Sequence, residues 1–261
     1  MNRKTGCIIT GGIIVLLIFL AGCITANTTL PTEEEQRPLY IVGIDGEYLP
    51  YTFIEADGTA RGFDVDSIRW IAEKKGFDVK IQPMAWDGII PALQSGKIDM
   101  VYSGMTITDE RKEMVSFSNP YWKVNQSVAV HKESKKTMDE FKAGKLIIGA
   151  QRGTTGAFWV EDNLIRIGLM PVGNLKLYDS FPDAVLDLQN KHLDAIIYDT
   201  PPLMDAIAGE PFILIGDIYT GEDIGVAFRK EDTHLLATIN DGIFQLMNDP
   251  YWEELIEKYD M

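Results

Sequence analysis

The stretch Leu93-Gln94-Ser95-Gly96-Lys97-Ile98-Asp99-Met100-Val101 has a counterpart later in the chain, Leu188-Gln189-Asn190-Lys191-His192-Leu193-Asp194-Ala195-Ile196. In each copy an apolar helical pattern ends, a short turn follows, and an aspartate introduces an apolar strand. Polar residues follow both strands, at 103–106 in the first copy and at 198–200 in the second. The repetition predicts two similar lobes, and open α/β sheets bind ligands beyond the carboxyl ends of their strands. A chance likeness of two α/β units is the alternative interpretation.

Strand and helix patterns alternate along the chain, which predicts parallel sheets with crossover helices. The expected strands are 39–44, 77–82, 98–102, 146–150, 171–177, 194–198, 212–215 and 226–228, and the expected helices include 155–167, 182–189 and 250–259. The last strand and the two helices after it are too few for a third lobe, so we expect them to return to the first. This arrangement predicts a first lobe from 39–126 plus 221–261 and a second from 127–220. A hinge of two segments would lie near 124–126 and 221–225.

The composition is that of an ordinary globular protein, with 46% hydrophobic and 24% charged residues in a chain of 261. Acidic residues outnumber basic ones by 39 to 24, and the net charge of -15 would repel a phosphate backbone, so we expect no nucleic acid partner. His131, His192 and His234 lack a metal-binding spacing, and Asp64 and Asp66 fit helix-start charges better than metal ligands. We therefore expect no metal and no cofactor.

The first residues predict export. Arg3 and Lys4 precede an apolar run, 8–20, that is shorter than the roughly 17 to 25 residues of a membrane-spanning helix. The run ends in Leu20-Ala21-Gly22-Cys23, a pattern typical of the lipobox of secreted lipoproteins. We expect a signal peptide at 1–22, a lipid on Cys23 and a solvated tether at 23–38, which would hold the protein on the outer face of the cell membrane. An uncleaved anchor helix is the alternative.

Several motifs together carry a family resemblance: Gly62-Phe63-Asp64-Val65-Asp66, Trp86-Asp87, Ser103-Gly104-Met105-Thr106-Ile107-Thr108-Asp109-Glu110-Arg111, Phe117-Ser118-Asn119-Pro120-Tyr121, Gly153-Thr154-Thr155 and Asp199-Thr200-Pro201. Over about residues 39–259, in order, they resemble the polar amino acid solute-binding proteins of ABC transporters, family 3. The resemblance implies an α/β, two-lobed periplasmic-binding-protein-like (type II) fold. It also implies a monomer that binds a free amino acid and delivers it to permease and ATPase subunits.

Arg111 stands out even without the resemblance. Thr108 is a good helix N-cap, yet the position three residues later is Arg111, where a capping box would have Glu or Gln. A cation in the first turn opposes the helix dipole, which suits an anion-binding role. A solvated charge pair with Glu110 or Glu113 is the alternative. The resemblance favours the first interpretation, because the matching arginine of the family clamps the ligand α-carboxylate.

The resemblance also implies partners for both charged ends of an amino acid. The backbone N–H groups of Thr106 and Thr155 would complete the carboxylate site around Arg111. The Asp199 carboxylate, the Gly104 carbonyl and the Thr106 hydroxyl would bind the α-ammonium. For Asp199, a helix-capping role ahead of Pro201 is an alternative that does not exclude ligand binding.

The ligand side chain would lie between the rings of Tyr48 and Trp86, with Asp45, Ser103 and Gln151 setting the polarity. For Trp86, a place in the core is the alternative. Two aromatic walls and Asp45 suit a guanidinium or ammonium, whereas Gln151 and Ser103 suit an amide. Arginine is therefore the favoured ligand and glutamine the second. The Ser103-Gly104 pair departs from the Ser-Ser of some cation-binding relatives, which keeps glutamine open.

Two other functions are possible on such a fold. An extracytoplasmic dehydratase or lyase would need a general acid, and Glu47 is the candidate near the site. No nucleophile motif occurs, so we expect a binding protein and not an enzyme. A sensor domain of a signalling protein would need further domains, and we do not expect this.

Overall fold

The computed structural model describes residues 37–261. The predicted signal peptide, Cys23 and the predicted tether up to Gln36 lie outside the described residues. Arg37 donates hydrogen bonds to the carbonyl oxygens of Ala72 at 3.0 Å and Phe77 at 2.7 Å, so the folded part already includes the end of the predicted tether. Within residues 37–261, no helix has the length and apolar character needed to cross a bilayer.

Strands and helices alternate through most of the described chain. The strands are β1 (Leu39–Ile44), β2 (Glu47–Tyr48), β3 (Thr52–Ile54), β4 (Ala60–Arg61), β5 (Asp78–Pro83), β6 (Met100–Val101), β7 (Ser116–Phe117), β8 (Trp122–His131), β9 (Ile148–Gln151), β10 (Leu175–Tyr178), β11 (Ala195–Asp199), β12 (Phe212–Ile224) and β13 (Ala227–Phe228). The helices are α1 (Phe63–Lys75), α2 (Ile89–Gln94), α3 (Asp109–Met114), α4 (Met138–Lys142), α5 (Thr155–Val160), α6 (Phe181–Gln189), α7 (Thr200–Ile207), α8 (Thr233–Met247) and α9 (Pro250–Tyr259).

Two five-stranded sheets form the two lobes of a mixed α/β fold. The first sheet has the order β5-β1-β6-β13-β7 and the second has the order β10-β9-β11-β8-β12, while β2, β3 and β4 form a small separate sheet. In each large sheet four strands run in one direction and one strand, β13 in the first and β8 in the second, runs antiparallel between its neighbours, so the sheets are not parallel throughout as expected. The late strand β13 lies between β6 and β7, which brings the end of the chain back to the first lobe.

The repeated stretch has the same structure in both lobes. Asp99 and Asp194 stand just before β6 and β11, and each accepts a hydrogen bond from the backbone N–H of a neighbouring segment. The donor to Asp99 is Ile41, at 2.8 Å, and the donor to Asp194 is Ile147, at 2.9 Å. Each aspartate N–H also donates to the carbonyl of that same residue. The aspartate therefore joins two strands by the same bonds in both lobes.

The two strands that cross between the lobes were missed. β8 is not among the expected strands, and β12 runs on to Ile224 although the predicted strand ends at residue 215. They pair antiparallel with register shifts between Leu214 and Gly216 and between Ile218 and Glu222. These bulges accommodate glycines and acidic residues that are typical of turns, which is why the strand was not recognised. The two chain segments that connect the lobes therefore form a two-stranded antiparallel ribbon.

Two of the expected elements also differ in type over part of their length. The helix expected at 155–167 has α-helical form only as far as Val160 and continues as a π-helical segment, Glu161–Ile165. The strand expected at 171–177 begins only at Leu175, because Val172–Asn174 forms a 3-10 turn. By contrast α9 has the predicted bounds, since Asp249 caps its start and Pro250 suits the first position.

Candidate functional site

A small cavity lies where the carboxyl ends of strands from both sheets approach each other. Its lining is Asp45, Tyr48, Trp86, Gly104, Thr106, Arg111, Thr154, Thr155, Tyr198 and Asp199. The structure therefore brings together all the residues proposed from the sequence except Ser103 and Gln151. Thr154 and Tyr198 belong to the lining although they had not been proposed.

Arg111 is a buried cation at the start of a helix. Its backbone N–H bonds to the Thr108 hydroxyl at 3.2 Å, so Thr108 does cap α3. The side chain is 4% exposed, and its guanidinium donates to the carbonyl oxygens of Thr106 at 2.8 Å and Gly153 at 3.0 Å. Burial lowers the pKa of Arg111, while nearby carboxylates, Asp199 first among them, oppose that shift.

The charge-pair alternative for Arg111 is wrong, because the residue is buried and makes no ion pair in the described part of the chain. Lys112 instead forms the local pair, at 3.1 Å from Asp109. Two N–H groups of the guanidinium are occupied by carbonyls and the others remain for a ligand. A buried charge without an ionic partner is costly, and a carboxylate entering the cavity would supply that partner.

Asp199, the last residue of β11, is a buried acid that also lines the cavity. It occupies the N-cap position of α7, but its side chain makes no capping bond and accepts hydrogen bonds from the Tyr48 hydroxyl and the Gln126 amide. Burial raises its pKa to about 7, with a further rise from Glu222, while the bonds from Tyr48 and Gln126 and the charge of Arg111 act in the other direction. The capping alternative therefore does not describe its side chain.

The backbone of Gly104 lies in close contact with the Tyr48 ring. Gly104 has a φ of 55°, and a Cβ atom placed on it would lie 2.4 Å from Cε1 of Tyr48. Only glycine allows this conformation and this approach together. The Tyr48 ring stacks on Tyr51 at 5.1 Å between centroids, and its hydroxyl reaches Asp199 across the cavity. The Ser-Gly form of the motif thus makes room for the Tyr48 ring.

Ser103 and Gln151 have places other than those expected. The Ser103 hydroxyl accepts from the Asp45 N–H at 3.0 Å and bonds to Thr52 at 2.8 Å, so it positions Asp45 from behind the cavity. Gln151 accepts from the Tyr198 hydroxyl and donates to Asp45 at 3.0 Å. Both ends of its amide are occupied by these bonds, so Gln151 closes the wall between the lobes.

Asp45 is a buried acid that is hydrogen-bonded by neutral groups. It is 7% exposed and accepts from the Glu47 N–H at 3.0 Å besides Gln151, and no basic side chain pairs with it in the described chain. Burial raises its pKa, and the bonds from Gln151 and Glu47 offset part of the rise. Asp45 thus lacks the cationic partner that would best stabilise its ionised form.

Trp86 lies at the cavity wall and is half-buried, so a place in the core does not describe it fully. Its indole N–H donates to the Gly153 carbonyl at 3.2 Å, and its ring faces the Arg111 guanidinium at 5.4 Å from the centroid. The ring therefore helps to hold Arg111 by a cation–π contact as well as lining the cavity.

Three polar residues behind the lining were missed. Gln126 on β8 donates to Asp199, and Glu222 on β12 accepts from the hydroxyls of Thr106 and Thr155. Both lie in the predicted hinge segments, but their contacts depend on the pairing of β8 with β12, which no local sequence pattern indicates. Asp64, predicted only as a helix-start charge, is fully buried and accepts from the Gly104 N–H at 2.6 Å and from the Tyr121 hydroxyl at 2.8 Å. Burial raises its pKa to about 7.

Glu47, the candidate general acid, lies outside this cavity. It lines a neighbouring open cleft with Asp179 and Ser180. Burial and the charges of Asp45 and Asp183 raise its pKa. Across residues 37–261, no group of acidic, histidine or cysteine side chains could hold a metal ion.

The fold and the site define a two-lobed binding protein, and comparison with known proteins identifies the family. Residues 40–260 match the family described as bacterial extracellular solute-binding proteins, family 3, and the chain belongs to it. The L-cystine-binding protein TcyJ of Escherichia coli is 30% identical over 239 residues, which are 90% of this chain and 87% of the relative. The L-arginine-binding protein of Pseudomonas aeruginosa is 32% identical over 257 residues, 93% and 95% of the two chains.

Solved structures of amino acid-binding proteins have the same fold as this chain. An ancestral arginine-binding protein bound to arginine has a TM-score of 0.78 and 34% identity, and the match covers 86% of this chain and 99% of that one. A structure of an ancestral arginine-binding protein bound to glutamine has a TM-score of 0.77 and 34% identity, and the match covers 86% of this chain and 98% of that one. An ancestral amino acid-binding protein described as a precursor of cyclohexadienyl dehydratase has a TM-score of 0.76 and 32% identity, covering 85% and 95%. The fold is therefore that of the amino acid-binding periplasmic proteins.

Proposed function

We propose that this protein is the extracytoplasmic substrate-binding component of an ABC importer and that it binds one free L-amino acid, basic or amide-bearing, in the cavity between its lobes. One observation carries the proposal: a buried arginine, Arg111, and a buried aspartate, Asp199, face the same cavity from different lobes. An amino acid has a carboxylate and an ammonium on one carbon, and these two groups would neutralise both side chains.

Arginine is the favoured side chain and glutamine the second. Among the described residues, Asp45 is buried without a basic partner, and a guanidinium would supply one. The rings of Tyr48 and Trp86 line the same space and would pack on its faces. Glutamine has less support, because the Gln151 amide that had suggested it is already bonded to Tyr198 and Asp45.

A calorimetric screen against the twenty amino acids tests the ligand, and single variants test the site. Arg111→Ala would leave a desolvated ligand carboxylate unpaired, at a cost of about 3 to 5 kcal/mol, or on the order of a hundredfold to several thousandfold in affinity. Lys112→Ala is the matched control, because Lys112 is exposed and its one ion pair within residues 37–261 is with Asp109. Arginine binding that survives Arg111→Ala within a few-fold would show that the carboxylate site is elsewhere.

Asp45→Asn separates the two candidate ligands. The variant removes the charge and keeps the shape, so arginine should lose far more affinity than glutamine. Equal losses for both amino acids would show that Asp45 does not bind the cation of the ligand side chain.

Closure of the lobes is the proposed binding mechanism. Arg111, Thr106 and Gly104 belong to the proposed first lobe and Thr155 and Asp199 to the second, so neither lobe alone would satisfy both ends of the ligand. Segments 124–126 and 221–225 of the ribbon between the lobes would act as the hinge. Small-angle scattering should give a smaller radius of gyration with saturating ligand. An unchanged radius, together with tight binding by the first lobe alone, would contradict this mechanism.

We also propose that a lipid on Cys23 tethers the protein outside the cell membrane, where it would meet the permease. The Leu20-Ala21-Gly22-Cys23 pattern supports this proposal. Intact mass and detergent partitioning of the native protein should show an acylated chain that begins at Cys23. Recovery of an unmodified chain that keeps residues 1–22 would contradict it.

The dehydratase or lyase alternative has weaker support. Glu47 has a raised pKa, as a general acid needs, but it lines the neighbouring cleft and not the cavity of Arg111 and Asp199. Recovery of an unaltered ligand after prolonged incubation, measured by mass spectrometry, would support the binding function.

A further inference from the structure

Glu222 joins both lobes to the ribbon between them. It follows the second register shift of β12, where Gly221 has a φ of 61°, and it pairs with Val124 of β8. A bulge of this kind turns the next side chain out of the regular alternation. One Glu222 carboxylate oxygen accepts from the Thr106 hydroxyl at 3.0 Å and from the Thr155 hydroxyl at 2.6 Å, and the other accepts from the Gln126 amide at 3.3 Å.

These bonds fix the direction of two hydroxyl protons. A threonine hydroxyl has a single proton and two lone pairs, and a carboxylate can only accept. The protons of Thr106 and Thr155 must therefore point toward Glu222. Thr155 also accepts from Gln126 at 3.2 Å, which occupies one of its lone pairs. Both threonines line the cavity, so the oxygen atoms that they offer to a ligand can only accept hydrogen bonds.

We infer that Glu222 is a positioning residue that makes this part of the cavity select an N–H donor, acting through Thr106 and Thr155 without lining the cavity itself. The inference rests on the proposed amino acid-binding function and concerns its α-ammonium subsite. Glu222 thus orients the acceptors beside Asp199, and it does so with one hydroxyl from each lobe. A ligand that lacks the ammonium group would gain nothing from this arrangement.

Glu222→Gln tests the inference, because one carboxylate oxygen of Glu222 accepts from both threonines and the other accepts from Gln126, whereas an amide has a single acceptor atom. The amide keeps all three hydrogen bonds only with its oxygen toward Gln126 and its N–H2 donating to both threonines. The hydroxyl protons of the threonines would then turn toward the cavity and oppose an ammonium. The probes are L-arginine and 5-guanidinopentanoate, which is arginine without its α-ammonium. If the amino acid screen selects glutamine, the probes are L-glutamine and 4-carbamoylbutanoate.

Calorimetry of both probes should show that Glu222→Gln weakens the amino acid about tenfold or more and changes the analogue by no more than about threefold. The ratio of the two affinities, not either affinity alone, is the measurement, because a merely structural defect would weaken both probes alike. Asp223→Asn is the matched control: its side chain pairs with the exposed Lys123 beside the same bulge, and the ratio should stay that of the wild type.

The outcomes separate the two proposals. A wild-type protein that binds none of the twenty amino acids would overturn the proposed function and this inference with it. A wild-type protein that binds an amino acid, with an unchanged ratio in Glu222→Gln, would overturn this inference alone. An equal loss for both probes would also overturn it, because Glu222 would then be a structural residue.

Discussion

Gly104→Ala should damage both stability and the site, by an amount that the structure allows us to work out. Any L-residue at a φ of 55° has a backbone cost of about 1 kcal/mol. The new Cβ would also lie 2.4 Å from Cε1 of Tyr48, a distance that requires the ring to move. Moving the ring breaks the Tyr48–Asp199 hydrogen bond, a bond to a charged group worth about 1.5 to 3 kcal/mol. The expected loss in unfolding free energy is therefore about 2.5 to 4 kcal/mol.

Gly96→Ala is the matched control for this variant. Gly96 has a φ of 74°, and a Cβ atom there would have no neighbour within 4 Å, so only the backbone cost of about 1 kcal/mol applies. Urea unfolding followed by circular dichroism measures both variants. In a Tyr48→Ala background the added cost of Gly104→Ala should fall to that of Gly96→Ala. Equal costs for Gly104→Ala and Gly96→Ala in the natural background would refute the proposed steric match.

Two further predictions follow from the buried acids. The free protein holds Asp199 with a pKa of about 7, and a ligand ammonium would pair with its ionised form, so binding should release a proton near pH 7 and weaken as the pH falls from 7 to 5. Calorimetry in buffers of different ionisation enthalpy measures the proton release. An affinity that does not change between pH 7 and pH 5 would count against the assignment of Asp199. Asp64 keeps its proton up to a pKa of about 7 in the folded state but loses it near 3.8 when unfolded, so its contribution to stability should fall as the pH rises from 4 to 7, by on the order of 4 kcal/mol. Asp64→Asn should remove this fall in urea unfolding series, and a parallel pH dependence in both proteins would contradict it.

The repeated stretch allowed the two lobes to be predicted, because its aspartates have a local role. Asp99 and Asp194 both bond to a backbone N–H of a neighbouring segment, so the same sequence pattern produces the same junction twice. The antiparallel strands β8 and β12 could not be predicted in this way. Their pairing is a long-range contact, and the glycines and acidic residues of β12 conceal its strand character.

The site was predictable where a motif places a side chain, and less so where tertiary contacts do. Arg111 and Asp199 line the cavity as expected. Ser103 lies behind it, because Asp45 and Thr52 occupy its hydroxyl. Glu222 and Gln126 were missed as site residues, since their roles depend on a bulge and on a strand pairing that no local pattern indicates.

A titration of three related ligands tests the central claim most directly. L-Arginine carries both charged ends, agmatine lacks the carboxylate, and 5-guanidinopentanoate lacks the ammonium. If Arg111 and Asp199 each bind one end, calorimetry should show L-arginine at a single site, with each analogue weaker by about a hundredfold or more. Binding of either analogue within tenfold of L-arginine would contradict the claim that both ends of an amino acid are recognised.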